Sequence, residues 1–149
     1  MNQEEARAAL AGATDAQMRL AAKMESCPPW RHAAFGLTMA VIVGSASLPL
    51  TLQMAGLAVG TLMVAAIFIW DRRRYGVFIN GYRKGGTLPL TLVLLGVTMV
   101  LLISALHARE AGLSAPTKMA IAVAEFAFAT ATSVAWQRLY LRELRSGKL

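Results

Sequence analysis

The stretch "LPLTLVLLGVTMVLLISALH", Leu88 to His107, decides the fold class because it contains no Asp, Glu, Lys or Arg. A helix of this length rises about 30 Å, which matches the hydrocarbon core of a bilayer. Thr87 is the expected N-cap, with Pro89 just inside the helix. Since a bilayer offers no water to unpaired backbone groups, the stretch must be a helix rather than an open strand.

Two further apolar runs precede this stretch in the sequence. They read "HAAFGLTMAVIVGSASLPL", from His32 to Leu50, and "TLQMAGLAVGTLMVAAIFIW", which ends at Trp70. Because the break at "SLPL" is very short, the two runs must form an antiparallel helical hairpin. Pro49 suits a first helical position there, where a missing N–H costs little.

A fourth run, "KMAIAVAEFAFATATSVAWQ", extends from Lys118 to Gln137 and is opened by Ser114 or Thr117 around Pro116. None of the four runs alternates with a period of two, which argues against a membrane β-barrel. The sequence therefore predicts an all-α integral membrane protein with four transmembrane helices in an antiparallel bundle.

The composition of the 149-residue chain agrees with that class. Hydrophobic residues make up 56% and charged residues only 15%, whereas a soluble domain carries roughly 25% charged residues. The net charge of +7 would suggest nucleic acid as a partner of a soluble chain, but the placement of the charges explains it without nucleic acid. The single cysteine, Cys27, excludes an internal disulfide.

The N-terminal segment is polar and alanine-rich, and it predicts an amphipathic surface helix over residues 2–26. Leu10, Ala13, Leu20 and Met24 recur at helical spacing, and a Pro-Pro pair then breaks the helix. We therefore divide the chain into a cytoplasmic N-terminal part, 1–28, and a transmembrane domain, 29–149. The latter includes a basic cytoplasmic loop, 71–86, and a helical C-terminal tail.

The basic residues fall mainly on one face of the predicted bundle. Ten lie on that face: Arg31, Arg72, Arg73, Arg74, Arg83, Lys84, Arg138, Arg142, Arg145 and Lys148. Only Arg109 and Lys118 lie on the other. The positive-inside rule predicts that both termini are cytoplasmic, as expected for a multi-pass protein of the cytoplasmic (inner) membrane. The alanine- and arginine-rich composition hints at a bacterial source.

The loop "DRRRYGVFINGYRKGG", Asp71 to Gly86, has two interpretations. It can be a topology anchor that contacts anionic headgroups, or it can dock a protein or ligand specifically. Its Asn80-Gly81 step could form a small hairpin. The basic candidates for such binding are Arg72, Arg73, Arg74, Arg83 and Lys84.

Small residues recur four apart on three of the spans, where they let helix backbones approach. They are Gly36, Ala40 and Gly44 on the first span, Gly56 and Gly60 on the second, and Ala127, Ala131 and Ala135 on the fourth. Such faces pack inside one bundle, or one of them lies outside and pairs with a second copy or another membrane protein.

Glu125 is the only ionisable side chain well inside a predicted span. A carboxylate there is costly, so it should face the bundle interior or a wet cavity. Thr98 of the antiparallel third span is expected at similar depth, and Thr132 continues the same face of the fourth. Glu125 is then either a protonated, hydrogen-bonded residue that fixes helix register or a proton- or cation-binding group.

Other chemistries find little support in the sequence. His32 and His107 are predicted on opposite faces and cannot share a haem or metal ion, and no nucleotide-binding or hydrolase motif occurs. We therefore expect no enzyme, no cofactor and no metal. Two hypotheses follow: a non-enzymatic interaction, scaffold or regulatory protein with a basic cytoplasmic face, or a small multimeric proton-coupled transporter or channel that uses Glu125.

Overall fold

The computed structural model describes residues 2–76 and 86–146, which form five helices and, within these ranges, no strand. The helices are α1 (Gln3–Glu25), α2 (Pro29–Ser45), α3 (Leu50–Tyr75), α4 (Thr87–Glu110) and α5 (Ala115–Arg145). Three helices of the described part, α3, α4 and α5, are long and apolar enough to cross a membrane. Large apolar side chains on them point outward, including Leu62 at 70% and Val100 at 63% exposure. The chain is an all-α membrane protein.

The bundle is organised around α2, which packs against α3, α4 and α5. Gly60 of α3 lies beside Ile42, and Gly56 lies beside Ser45. As the residue number falls along α2 it rises along α3, so the two helices are antiparallel. Contacts of Gly44 with Ala122, and of His32 with Ser133, show the same antiparallel relation between α2 and α5.

The helix α1 packs on the end of the bundle where α2 begins and α3 and α5 end, which we call the α1 end. Ala21 and Met24 are buried there in a cluster with Tyr75, Tyr140 and Leu144. Leu10, which was predicted on the apolar face of this helix, is 69% exposed. Only the last turns of α1 therefore carry its packing.

The helices formed by the first two predicted spans, α2 and α3, end at residues other than those predicted. The first stops at Ser45 rather than Leu50, because residues 46–48 form turns and Pro49 disfavours a helical Leu48. Pro49 is the N-cap of α3 rather than its first residue. The second span continues five residues beyond Trp70 into the predicted basic loop, and Gly76 ends it with a φ of 74°.

The last two spans also extend beyond their predicted limits. Gly86 is the N-cap of α4, and Thr87, the predicted N-cap, is the first helical residue. Ser114 caps α5, and the C-terminal tail forms one continuous helix with the fourth span as far as Arg145. The hairpin predicted at Asn80-Gly81 lies outside the described residues.

Candidate functional site

The most polar part of the bundle interior lies at the α1 end, where α2 starts and α3 finishes. Arg31 and Asp71 form an ion pair there, with Arg31 Nε donating to Asp71 Oδ1 over 3.2 Å and Nη2 donating to Oδ2. Both side chains are about three-quarters buried, at 23% and 24% exposure. An ion pair at this depth gains more than one in open water, because solvent screens it less.

A serine and a histidine extend this polar group onto α5. Arg31 Nη1 donates to Ser133 Oγ over 3.3 Å, and Ser133 Oγ lies 2.9 Å from His32 Nδ1. His32 and Ser133 are both buried. The four side chains thus join α2, α3 and α5 through a continuous chain of hydrogen bonds.

A cavity of about 290 Å³ lies against this chain of hydrogen bonds. Residues from all five helices line it, together with Cys27 between α1 and α2. The lining residues are Met24, Cys27, Arg31, His32, Phe35, Phe68, Asp71, Arg72, Tyr75, Thr91, Leu94, Thr132, Ser133, Trp136 and Gln137. The volume is at the lower end of the range typical of small-molecule sites.

Aromatic rings flank the same end of the bundle. Trp30 and Trp70 meet edge to face with 4.9 Å between ring centroids, and Trp136 stacks on Tyr140 at 5.1 Å. Indole rings at one level of a helical bundle are typical of a membrane–water interface. The α1 end is therefore enriched in residue types that are common at such an interface.

Glu125 lies in a separate place, between α4 and α5. It is fully buried, and its Oε1 accepts a hydrogen bond of 2.8 Å from Thr98 Oγ1. Among the described residues, Oε2 has no hydrogen-bond partner. Thr132, two helical turns or about 10 Å along α5, lines the cavity, whereas Glu125 is not among the lining residues.

The three consecutive arginines of the predicted loop occupy the last turn of α3 and differ in their surroundings. All three are exposed, but Arg72 also lines the cavity. Arg74 donates to the carbonyl and hydroxyl oxygens of Ser26 and lies over the Trp70 ring at 5.3 Å. Arg83 and Lys84 lie outside the described residues.

Two of the three predicted small-residue faces lie at contacts between helices, and the third lies on the outer surface. A Cβ at Gly36 would lie 2.7 Å from the Phe126 carbonyl oxygen, and one at Gly44 would lie 3.0 Å from Ala122 Cβ. These glycines allow close approach of α2 and α5, with Ala40 buried on the same helix. Gly56 and Gly60 serve the contact between α3 and α2 in the same way. The small residues of the predicted fourth span lie on the outer surface of α5, where Ala127, Ala131 and Ala135 are exposed.

Sequence reasoning did not single out the polar chain of Arg31, His32, Asp71 and Ser133. A signal was present, because Arg31 precedes the first span and Asp71 follows the second. In an antiparallel hairpin these two positions must meet at one level. The contact of Ser133 with His32 depends on how α5 rotates against α2, which the spacing along the chain does not fix.

Comparison with known proteins finds no matching family model, no significantly similar curated protein and no significantly similar solved structure. Within the described ranges, no group of three His, Cys, Asp or Glu side chains is placed to hold a metal ion.

Proposed function

We propose that the protein crosses the cytoplasmic membrane four times, with α2 as the first span. This helix has only 17 residues, a rise of about 25 Å, which lies at the short end of the range for spanning helices. Its antiparallel packing along α3 and α5 supports the proposal. A helix held alongside two long apolar helices in this way occupies the same depth in the bilayer.

Both termini are cytoplasmic in this arrangement. The α1 end carries most of the described basic residues of the bundle, including Arg31, Arg138 and Arg142, and the other end carries Arg109 and Lys118. The positive-inside rule assigns the richer end to the cytoplasm. Anionic headgroups of the inner leaflet are then the natural neighbours of the exposed Arg72 and Arg73.

We further propose that the protein is a non-enzymatic interaction or regulatory component, whose cytoplasmic face is formed by α1 and the basic ends of α3 and α5. One observation carries this proposal. The last turns of α1 are fixed to the bundle, while Leu10 and Met18 remain 69% and 68% exposed. An anchored helix that keeps these two apolar side chains exposed leaves them available to a protein partner.

The fixed end of α1 has several independent attachments. Gln137 Nε2 donates to the Met24 carbonyl, and Arg145 Nη2 donates to Glu25 Oε2 over 2.8 Å. Arg74 reaches Ser26 from α3. Because α3 and α5 both hold this end, the exposed part of α1 keeps a defined direction relative to the membrane.

The geometry around Ser133 supports a non-enzymatic role. Ser133 lies within the uninterrupted helix α5, so the backbone N–H groups around it are used by the helix and cannot stabilise an oxyanion. The nearby cation, Arg31, is paired with Asp71. The Ser133–His32 contact therefore serves helix packing in this proposal.

Site-specific photo-crosslinking in intact cells tests the interaction role. A photoreactive residue at Leu10 or Met18 should give discrete protein adducts, whereas one at Leu62, an exposed apolar position of α3, should react mainly with lipid. A second copy of the chain in the adduct would show self-association, and a different protein would show a heterologous partner. Lipid-only products at all three positions would refute the interaction surface.

A further inference from the structure

The cavity at the α1 end changes in character along the direction of the helices. Arg31, Asp71 and Tyr75 line its outer part, and Phe35, Phe68 and Leu94 line its inner part together with Thr91 and Thr132. From Tyr75 to Phe68 the α3 axis advances about 10 Å. The cavity therefore has a charged end at the level of the α1 contact and an uncharged, mainly apolar end deeper in the bundle.

The cavity opens toward the outer surface of the bundle between α3 and α4, because α3 does not pack closely against α4 or α5. In the described ranges, no Cα of α3 lies within 8 Å of a Cα of α4 or α5. The two helices α3 and α4 are linked at the far end, where Arg109 Nη1 donates to Gln53 Oε1 over 2.6 Å. At the α1 end α3 and α4 are not linked in this way, and Phe68, which lines the cavity from α3, is 41% exposed.

The charges around the cavity favour an anion. Arg31 and Asp71 neutralise each other. Arg72 remains as the second cation of the lining, with no described carboxylate besides Asp71 among the lining residues. One net positive charge beside hydroxyl groups matches a headgroup with one negative charge.

We propose that this cavity binds an amphiphile with a single anionic headgroup, a phosphodiester or a carboxylate, whose chain leaves between α3 and α4. The headgroup lies beside Arg72 and the Arg31–Asp71 pair, and the chain follows Phe68 into the surrounding lipid. This inference rests on the proposed membrane position of the α1 end. The proposed site would bind one lipid molecule specifically, in addition to the general attraction of the basic α1 end to anionic headgroups.

Tryptophan quenching by brominated lipid provides the test, because Trp136 lines the cavity and the chain has only two other tryptophans. The full chain with Trp30→Phe and Trp70→Phe is reconstituted into phosphatidylcholine vesicles that contain either brominated phosphatidylglycerol or brominated phosphatidylcholine at equal mole fraction. The phosphatidylglycerol should quench Trp136 more strongly. A third set of vesicles contains brominated fatty acid, which distinguishes the carboxylate from the phosphodiester as the headgroup.

Arg72→Gln and Arg73→Gln form a matched pair, because both remove one exposed arginine from the same turn and only Arg72 lines the cavity. Arg72→Gln should weaken the preference for the anionic lipid about fivefold, whereas Arg73→Gln, which removes surface charge but no group of the cavity, should weaken it clearly less. Equal loss in both variants would mean general surface attraction and would overturn the proposal, as would equal quenching by all three brominated lipids. Cysteine labelling of the two chain ends in the same vesicles reports topology separately, so that failure of the four-span arrangement is distinguished from failure of the lipid site.

Discussion

Arg31 and Asp71 join the first residues of α2 to the last turns of α3 through a two-point ion pair. Forty positions separate them in the sequence, and the antiparallel hairpin of α2 and α3 brings them together. Arg31 also donates to Ser133, so the same guanidinium connects α5 to the hairpin. This pair therefore fixes the geometry of the cavity's polar end.

A double-mutant cycle measures the strength of this pair. Arg31→Gln and Asp71→Asn should each lower the free energy of unfolding in mixed micelles, and the two effects should couple by about 1–2 kcal/mol, because the pair is partly buried. A second cycle that combines Arg73→Gln with Asp71→Asn is the control, and its two effects should show no coupling. Additive effects in the Arg31 cycle would mean that the pair contributes nothing to stability.

The close approach of α2 and α5 at Gly36 predicts a clear steric effect. Gly36→Ala places a methyl group against the Phe126 carbonyl and should destabilise the bundle by about 1–3 kcal/mol. Gly96→Ala is the matched control, because a Cβ at Gly96 meets nothing within 4 Å. The control should be neutral or slightly stabilising, since alanine favours the helix. Thermal unfolding in one detergent compares them, and equal stability of the two variants would contradict the packing.

The hydrogen bond between Thr98 and Glu125 predicts an order of effects at Glu125. Glu125→Gln keeps the size and an acceptor for Thr98, so it should cost less than about 1 kcal/mol. Glu125→Ala leaves Thr98 unpaired and a gap between α4 and α5, and should cost about 2–4 kcal/mol. Unfolding in mixed micelles measures both.

A flux assay distinguishes the interaction role from a transport role for Glu125. Because Glu125 does not line the cavity, we expect no Glu125-dependent proton movement into vesicles that contain a pH-sensitive dye and the reconstituted protein. A clear flux that Glu125→Gln abolishes, in a protein that remains folded, would favour the transporter hypothesis over the interaction role.

The attachment of α1 predicts selective protease sensitivity. Met24→Asp puts a charge into the buried cluster with Tyr75 and Tyr140 and should release α1, so trypsin should cut after Arg19 several times faster. Leu10→Asp, at a position that is 69% exposed, should leave the cleavage rate after Arg19 nearly unchanged. The transmembrane helices should remain folded in both variants, and similar cleavage of the two would show that Met24 does not anchor the helix.

The sequence predicts the helices well where apolar length and capping residues decide the structure. Ser114, one of the two predicted start positions, is the N-cap residue of α5, which begins at Ala115 just before Pro116. The predicted helix ends are wrong where the neighbouring residues are compatible with both helix and loop. Asp71 to Tyr75 continue α3 because Arg72, Arg73 and Arg74 are good helix formers that favour a helix C-terminus, and only Gly76 provides the left-handed turn that stops it.

The candidate site was less accessible to sequence reasoning than the spans. Glu125 and Thr98 could be paired because depth along antiparallel helices follows from counting residues. The contact of Ser133 with His32 also requires the rotation of each helix about its axis. That rotation depends on how Gly36 and Gly44 seat against α5, which is a property of the packed bundle.

The central claim, that α2 is a membrane span and both chain ends face the cytoplasm, is tested most directly by cysteine accessibility in intact cells. With Cys27→Ser removing the native thiol, Gly12→Cys, Ser114→Cys and Ser146→Cys are labelled one at a time with a membrane-impermeant reagent. Four spans predict labelling of Ser114→Cys alone in intact cells, and of all three variants after permeabilisation. If Gly12→Cys is labelled together with Ser114→Cys while Ser146→Cys remains protected, then only α3, α4 and α5 cross the membrane and the account is contradicted.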